Sequence, residues 1–109
     1  MAYDEALAER VRRILAIRGD ISEKRMMGAL CFMASGHMCC GVSGASLMVR
    51  VGREGQEQAL SMPHVRLMQI GDRPATGFVL VDMAGMPSDE VIGAWVERGV
   101  EYAAQLPPK

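Results

Sequence analysis

No apolar run in this sequence approaches the ~20 residues that a membrane-spanning helix needs. The opening stretch MAYDEALAERVRR has neither an apolar h-region nor a small-residue cleavage site. No membrane contact and no secretory leader are therefore expected, and the three cysteines are expected to stay reduced in a cytoplasmic setting. An excess of one charge is also missing. The 12 Lys and Arg stand against 13 Asp and Glu, for a formal net charge of −1. A nucleic-acid binder normally carries a basic excess, so the whole-chain balance does not point to one. There is no asparagine, and ten of the twelve basic residues are arginine, which reads as genomic bias and not as a functional sign.

The chemistry-bearing motifs are missing as well. No GxGxxG or GxxxxGK phosphate cradle occurs. Gly41-Val42-Ser43-Gly44 and Gly44-Ala45-Ser46-Leu47-Met48 miss the G-x-S-x-G elbow of serine hydrolases. No CxxC pair is present, and His37 and His64 have no metal-ligand spacing. No catalytic residue, cofactor or metal is expected. Repeats, linkers and low-complexity segments are lacking, and 109 residues fit one domain, 1–109, long enough to bury a core without disulfides or a structural metal.

What is present has clear periodicity. Asp4 suits the N-cap of a first helix, with Leu7, Val11, Ile14, Leu15 and Arg18 on one stripe and Gly19 as the stop. Glu9 and Arg13 form a weak i,i+4 pair on its outer side. From Ser22 the period changes to two, which predicts strands near 23–27, 29–34, 37–42 and 46–51, with turns at Gly28, Ser35-Gly36 and Ser43-Gly44-Ala45. A short helix follows over 53–60, closed by Pro63. Strands over 65–70 and 77–82 flank a loop containing Gly71, Asp72 and Pro74. Ser88 caps a last helix whose buried stripe is Val91 or Ile92, Trp95, Val96, Gly99, Val100 and Ala103. The order α-β-β-β-β-α-β-β-α is an α+β layout with a mostly antiparallel sheet.

The sulfur-rich stretch Gly36-His37-Met38-Cys39-Cys40-Gly41-Val42 is a candidate metal or redox site. Strict alternation sends Cys39 and Cys40 to opposite faces, so they do not chelate one ion together. A Ser35-Gly36 turn then places Cys31 opposite Cys40, with Cα atoms ~4.5–5.5 Å apart and within disulfide reach. In this register Cys31, Met33, Met38, Cys40, Val42, Leu47, Val49 and Val51 form the core face. Leu30, Phe32, His37, Cys39, Gly41, Met48 and Arg50 form a mixed face. Buried, reduced thiols acting as small hydrophobes are the expectation, with redox sensitivity and Cu(I) binding as weaker alternatives.

Arg50, in the middle of a strand on the mixed face, calls for a carboxylate or a partner's acidic group. Together with His37 it is a candidate contact. Arg12 and Arg13 on the first helix, with Lys24 and Arg25, outline a candidate basic patch, opposed by Glu5, Glu9 and Glu23. Met26 and Met27 suit either packing under a helix or a peptide-binding surface.

Taken in order, Met1-Ala2-Tyr3-Asp4-Glu5 with Leu7 and the helix after it, Glu23-Lys24-Arg25-Met26-Met27-Gly28-Ala29-Leu30, Phe32-Met33, Gly36 to Val42, Leu47 to Gly52, Gly77 to Asp82, Trp95-Val96 and Leu106-Pro107-Pro108-Lys109 resemble the TfoX N-terminal domain family. The usual K-M-F-G-G-L reads here as Arg25-Met26-Met27-Gly28-Ala29-Leu30. The resemblance implies a two-layer α+β sandwich, secretion-chaperone-like, with helices packed on a curved antiparallel sheet. It also implies a stand-alone version of a domain found in bacterial competence regulators, non-enzymatic, working through protein contact and as a homodimer that covers part of the mixed face. A nucleic-acid-associated transcriptional accessory using the basic patch is the alternative function. A small-ligand binder or enzyme with a pocket near Arg50 and His37 is a further one.

Overall fold

The computed structural model describes residues 3–26, 28–70, 72–83 and 88–107. The expectations for Met1, Ala2, Met27, Gly71, Pro108 and Lys109 fall outside these residues. The elements are α1 (Glu5–Leu15), β1 (Ile21–Met26), β2 (Ala29–Ala34), β3 (His37–Ser43), β4 (Ser46–Arg50), α2 (Arg53–Leu60), β5 (Val65–Ile70), β6 (Arg73–Asp82) and α3 (Asp89–Ala104). Their order is the one the periodicity predicts.

Local chemistry explains most of the boundaries. The Asp4 carboxylate accepts hydrogen bonds from the amides of Ala6 and Leu7 at 2.9 and 3.1 Å, satisfying donors that the first helical turn leaves unpaired. Ser88 does the same for Val91 at the start of α3. Asp4→Ala is therefore expected to cost about 1 kcal/mol of stability, read as a lowered urea midpoint with an unchanged slope. Ser35 and Gly36 have φ of 52° and 86°. Two successive left-handed residues are what a two-residue hairpin between right-twisted strands requires.

The six strands form one antiparallel sheet in the order β1-β2-β3-β4-β6-β5. β1 to β4 are a meander. The chain then crosses through α2 to β5, and β6 returns between β4 and β5. β6 begins at Arg73 and not at Gly77, so Pro74 lies in a strand. Pairing of β4 with β6 runs from Phe78 to Asp82, so at Pro74 the strand pairs with β5 alone, where a missing N–H is tolerated.

All three helices contribute to one core on one side of the sheet. Leu7, Val11 and Leu15 of α1, Ala59 of α2, and Ile92, Trp95, Val96 and Val100 of α3 pack with Phe32, Cys40, Val42, Leu47, Val49, Val79 and Val81. The last helix resolves its alternative in favour of Ile92, which is fully buried while Val91 is 46% exposed.

A β-bulge corrects the expected register. Ala34 does pair with His37, and Met33 with Met38, but Phe32 pairs with Cys40 and Cys31 with Gly41. Cys39 is the extra residue. The pairing beyond it shifts by one, and a one-residue shift exchanges the two faces. The β4 side of the prediction holds, since Cys40 pairs with Val49 and Val42 with Leu47. On β2 the faces are inverted: Leu30 and Phe32 belong to the helix-covered core, and Cys31 and Met33 to the other face. Cys31 is not opposite Cys40. At the bulge Cys39 and Cys40 share the core side, with their Sγ atoms 3.9 Å apart.

Candidate functional site

The face of the sheet away from the helices carries its own apolar cluster. Ala29, Cys31 and Met48 are buried there, and Met33, Met38, Met68 and Leu80 are half-buried around them. One register row crosses all six strands: Lys24, Cys31, Gly41, Met48, Leu80, Arg66. Its middle is apolar and its two ends are cations. Arg66 donates to the Ser46 hydroxyl at 3.3 Å, which fixes one end. Gly41 makes the middle of the row shallow, because a Cβ there would lie 2.5 Å from the Met48 methyl and 2.8 Å from the Leu30 carbonyl oxygen. Met48 folds into that hollow.

An antiparallel sheet with one wet face normally alternates apolar with polar residues. Here β2 reads Ala-Leu-Cys-Phe-Met-Ala and is apolar on both faces. Methionine is unbranched and polarisable and adapts to varied surfaces. This cluster is therefore suited to contact with another apolar surface.

Apart from Lys24 at one end of that row, the sequence-predicted residues are not gathered around this cluster. Arg50 lies between the rings of Phe78 and Tyr102, 5.5 and 5.6 Å from their centroids, and donates to the Met38 carbonyl at 3.4 Å. No carboxylate pairs with it among the described residues; the π faces take that role. His37 makes a hydrogen bond with the Pro107 carbonyl, which ties the start of β3 to the chain leaving α3. Both residues therefore sit at one end of the sheet, and both bind their own fold. A cavity of about 390 Å³ lies nearby, lined by Val51, Gly52, Arg53, Glu54, Gly55, Tyr102, Gln105 and Leu106. Neither Arg50 nor His37 lines it.

The predicted basic patch is divided. Arg12 is bound by Glu23 at 2.6 Å and by Glu9 at 3.2 Å, so Glu9 pairs at i,i+3 and not with Arg13. The Arg12 guanidinium holds the Glu23 carboxyl below the usual range, with Arg25 adding to the effect. Arg10 pairs with Asp89 and Arg18 with Glu97. Arg13 is exposed on α1, while Lys24 belongs to the helix-free face.

The thiols show no shared ligand geometry. Cys39 Sγ donates to the Phe32 carbonyl at 3.3 Å. The Cys40 thiol is held well above its ordinary range, first by the hydrogen bond it shares with Cys39 and then by burial. Burial also raises Cys31, and neighbouring Lys24 opposes this. Among the described residues, no group of three or more His, Cys, Asp or Glu is placed to hold a metal ion. All three thiols are expected to resist an aromatic disulfide reagent in the native protein and to react together once urea unfolds it. Cys31 should lead any slow native reaction with that reagent, because among the described residues its cluster is separate from the helix-covered core.

These features define a two-layer α+β sandwich with helices on one side and an uncovered sulfur-rich sheet face on the other. Residues 13–103 match the family model described as the TfoX N-terminal domain, and the chain belongs to that family. No curated protein and no solved structure matches it. Among the described residues, no helix is long and apolar enough to cross a membrane.

The residues that alternation missed are Met68, Leu80 and Arg66. Their strands are legible, but the placing of β6 between β4 and β5 is not, so nothing in the sequence brings them beside Met48. The bulge was missed for a different reason. Its signal is the doubled cysteine inside an otherwise alternating strand, and a doubled apolar residue also fits a strand buried on both faces.

Proposed function

We propose that this protein is a non-enzymatic binding and regulatory domain that acts through protein–protein contact and pairs with a second copy of itself through the helix-free sheet face. The observation that carries this is the second buried cluster of Ala29, Cys31 and Met48, which no helix covers among the described residues. Six strands at ~4.8 Å and three side-chain rows along them give a face of roughly 600 Å². That is the low end of what each partner contributes to a stable interface. Lys24 and Arg66 would stand at its polar rim. The regulatory part of the reading rests on family membership together with the role that the resemblance to competence regulators implies.

Sedimentation at micromolar concentration should give twice the chain mass. Met33→Glu with Met68→Glu, both half-buried on this face, should return the monomer mass with an unchanged circular dichroism spectrum. A wild-type chain that stays monomeric, or a double variant that stays dimeric, rules out this interface.

A further inference from the structure

We infer that Cys39 and Cys40 are an oxidative modification site, at which a peroxide joins the two sulfurs as a disulfide between adjacent residues and so shifts α3 on the sheet. The site lies within the helix-covered core and shares no residue with the sheet face proposed for pairing.

The bulge creates the pair. In a regular strand adjacent side chains leave on opposite faces, which keeps neighbouring thiols apart. Cys39 is the extra residue of the bulge, so both thiols point to the core side with their Sγ atoms 3.9 Å apart. The Phe32 carbonyl accepts a hydrogen bond from Cys39 Sγ at 3.3 Å and holds it beside Cys40. Cys31 belongs to the cluster on the other face.

The two thiols are unequal. The hydrogen bond with Cys40 brings the Cys39 thiol below its ordinary range, against the effect of burial. Cys40 is held well above it. Cys39 is therefore the thiolate that reacts first, and Cys40 the thiol that resolves the product. Both are fully buried, so the oxidant must be small. A cavity of about 160 Å³ lies between α1 and β1, with Leu15, Arg18, Ile21 and Phe32 in its wall. It leads to Phe32, the residue that pairs with Cys40 and holds Cys39. Hydrogen peroxide is close to water in size and fits such a route, whereas an aromatic disulfide is too wide for it.

The reaction balances in two steps. The Cys39 thiolate attacks one peroxide oxygen and the O–O bond breaks. The departing hydroxide takes the proton that Cys39 gave up and leaves as water, and Cys39 becomes a sulfenic acid. The Cys40 sulfur then attacks the Cys39 sulfur and the S–O bond breaks. The second hydroxide leaves with the Cys40 proton as water. Two thiols lose two electrons and two protons, and one peroxide is reduced to two waters.

Closing the bond moves α3. A disulfide is about 2.05 Å long, so the sulfurs approach by roughly 2 Å. The ring contains the Cys39–Cys40 peptide, which must turn with it. The carbonyl of that peptide is the one on which Gly99 of α3 packs, so closely that a Cβ at Gly99 has no room. A turn of this peptide therefore pushes on α3 or opens a gap beneath it. Trp95 lies one helical turn before Gly99 on the same buried stripe. It is the only tryptophan, so its emission reports the shift.

The test treats the reduced full chain with hydrogen peroxide under native conditions, then unfolds it and caps the remaining thiols with iodoacetamide. Cleavage after Phe32 separates Cys31 from the pair for mass analysis. The peptide holding Cys39 and Cys40 should be two hydrogens lighter with neither thiol capped. The pair should be lost about tenfold or more faster than Cys31, the reverse of the order with the aromatic reagent. Trp95 emission should change with the same time course and return on adding dithiothreitol. Cys31→Ala should leave both readings unchanged. Cys40→Ala should stop at a Cys39 sulfenic acid that dimedone captures, and the emission change should vanish. The inference is overturned by a pair that is still capped once Cys31 is lost, or by oxygen left on Cys39 or Cys40 of the wild-type chain in place of the ring. It is equally overturned by a disulfide that joins either residue to a second chain, or by ring closure with constant Trp95 emission. The wild-type masses decide the outcome without any variant having to fold.

Discussion

Gly99→Ala is expected to destabilise the protein by about 3 kcal/mol, although it places the best helix former inside a helix. A Cβ at Gly99 would lie 2.1 Å from the carbonyl oxygen of Cys39 and 3.1 Å from its carbonyl carbon. That obstacle is backbone at the bulge and does not rotate away. α3 must retreat from β3 by roughly 1 Å, which loosens Val96, Val100 and Ala103 against the sheet. Such forced shifts cost ~1–3 kcal/mol and occasionally more. The better helix propensity of alanine offsets about 1 kcal/mol, so the strain must lie at the upper end or beyond. Gly93, in the same helix, is the control. Nothing lies within 4 Å of a Cβ there, so Gly93→Ala should stabilise by about 0.5–1 kcal/mol. Thermal melts should separate the two variants by more than about 10 °C. A neutral Gly99→Ala would mean that α3 does not touch the bulge.

Phe32→Ala tests the register. Phe32 is 1% exposed and is the largest fully buried side chain in the core. Its removal should cost about 3–5 kcal/mol, the transfer term together with the cavity left behind. Met33→Ala, on the helix-free face and half-buried, should cost only about 1–2 kcal/mol. Both are read at low protein concentration, where association adds little to apparent stability. An unbulged register predicts the opposite ranking, because it puts Met33 in the core and Phe32 outside. The two urea midpoints therefore decide between the registers.

Much of this fold is legible in the sequence because its signals are local. Asp4 and Ser88 sit where helices must start, Ser35-Gly36 supplies the left-handed pair a tight hairpin needs, and the change of period near Ser22 marks the passage from helix to strand. The α3 stripe is legible for the same reason, down to the buried Gly99. The candidate site is less legible. Arg50 stands out as a charge within a strand, yet the partners that hold it, Phe78 and Tyr102, are distant in sequence. Glu9 and Glu23 are visible in the sequence as opposing charges, but only the fold-back of β1 brings Glu23 onto Arg12. A basic run in sequence is a weaker basic surface when Arg10, Arg12 and Arg18 each meet a carboxylate from another element.

The sequence by itself determined the element order, the caps, the family and the absence of any motif for catalysis, because each depends on neighbours within a few residues. Only the tertiary structure decided which faces the side chains of β2 take. A single extra residue, Cys39, shifts the β2–β3 pairing, and with a side-chain period of two that shift moves every residue of β2 to the opposite face. It put Phe32 under the helices, turned Cys31 and the methionines outward, and set Cys39 and Cys40 side by side. The uncovered sulfur-rich face exists because strands far apart in the chain meet there, and no local pattern encodes that meeting.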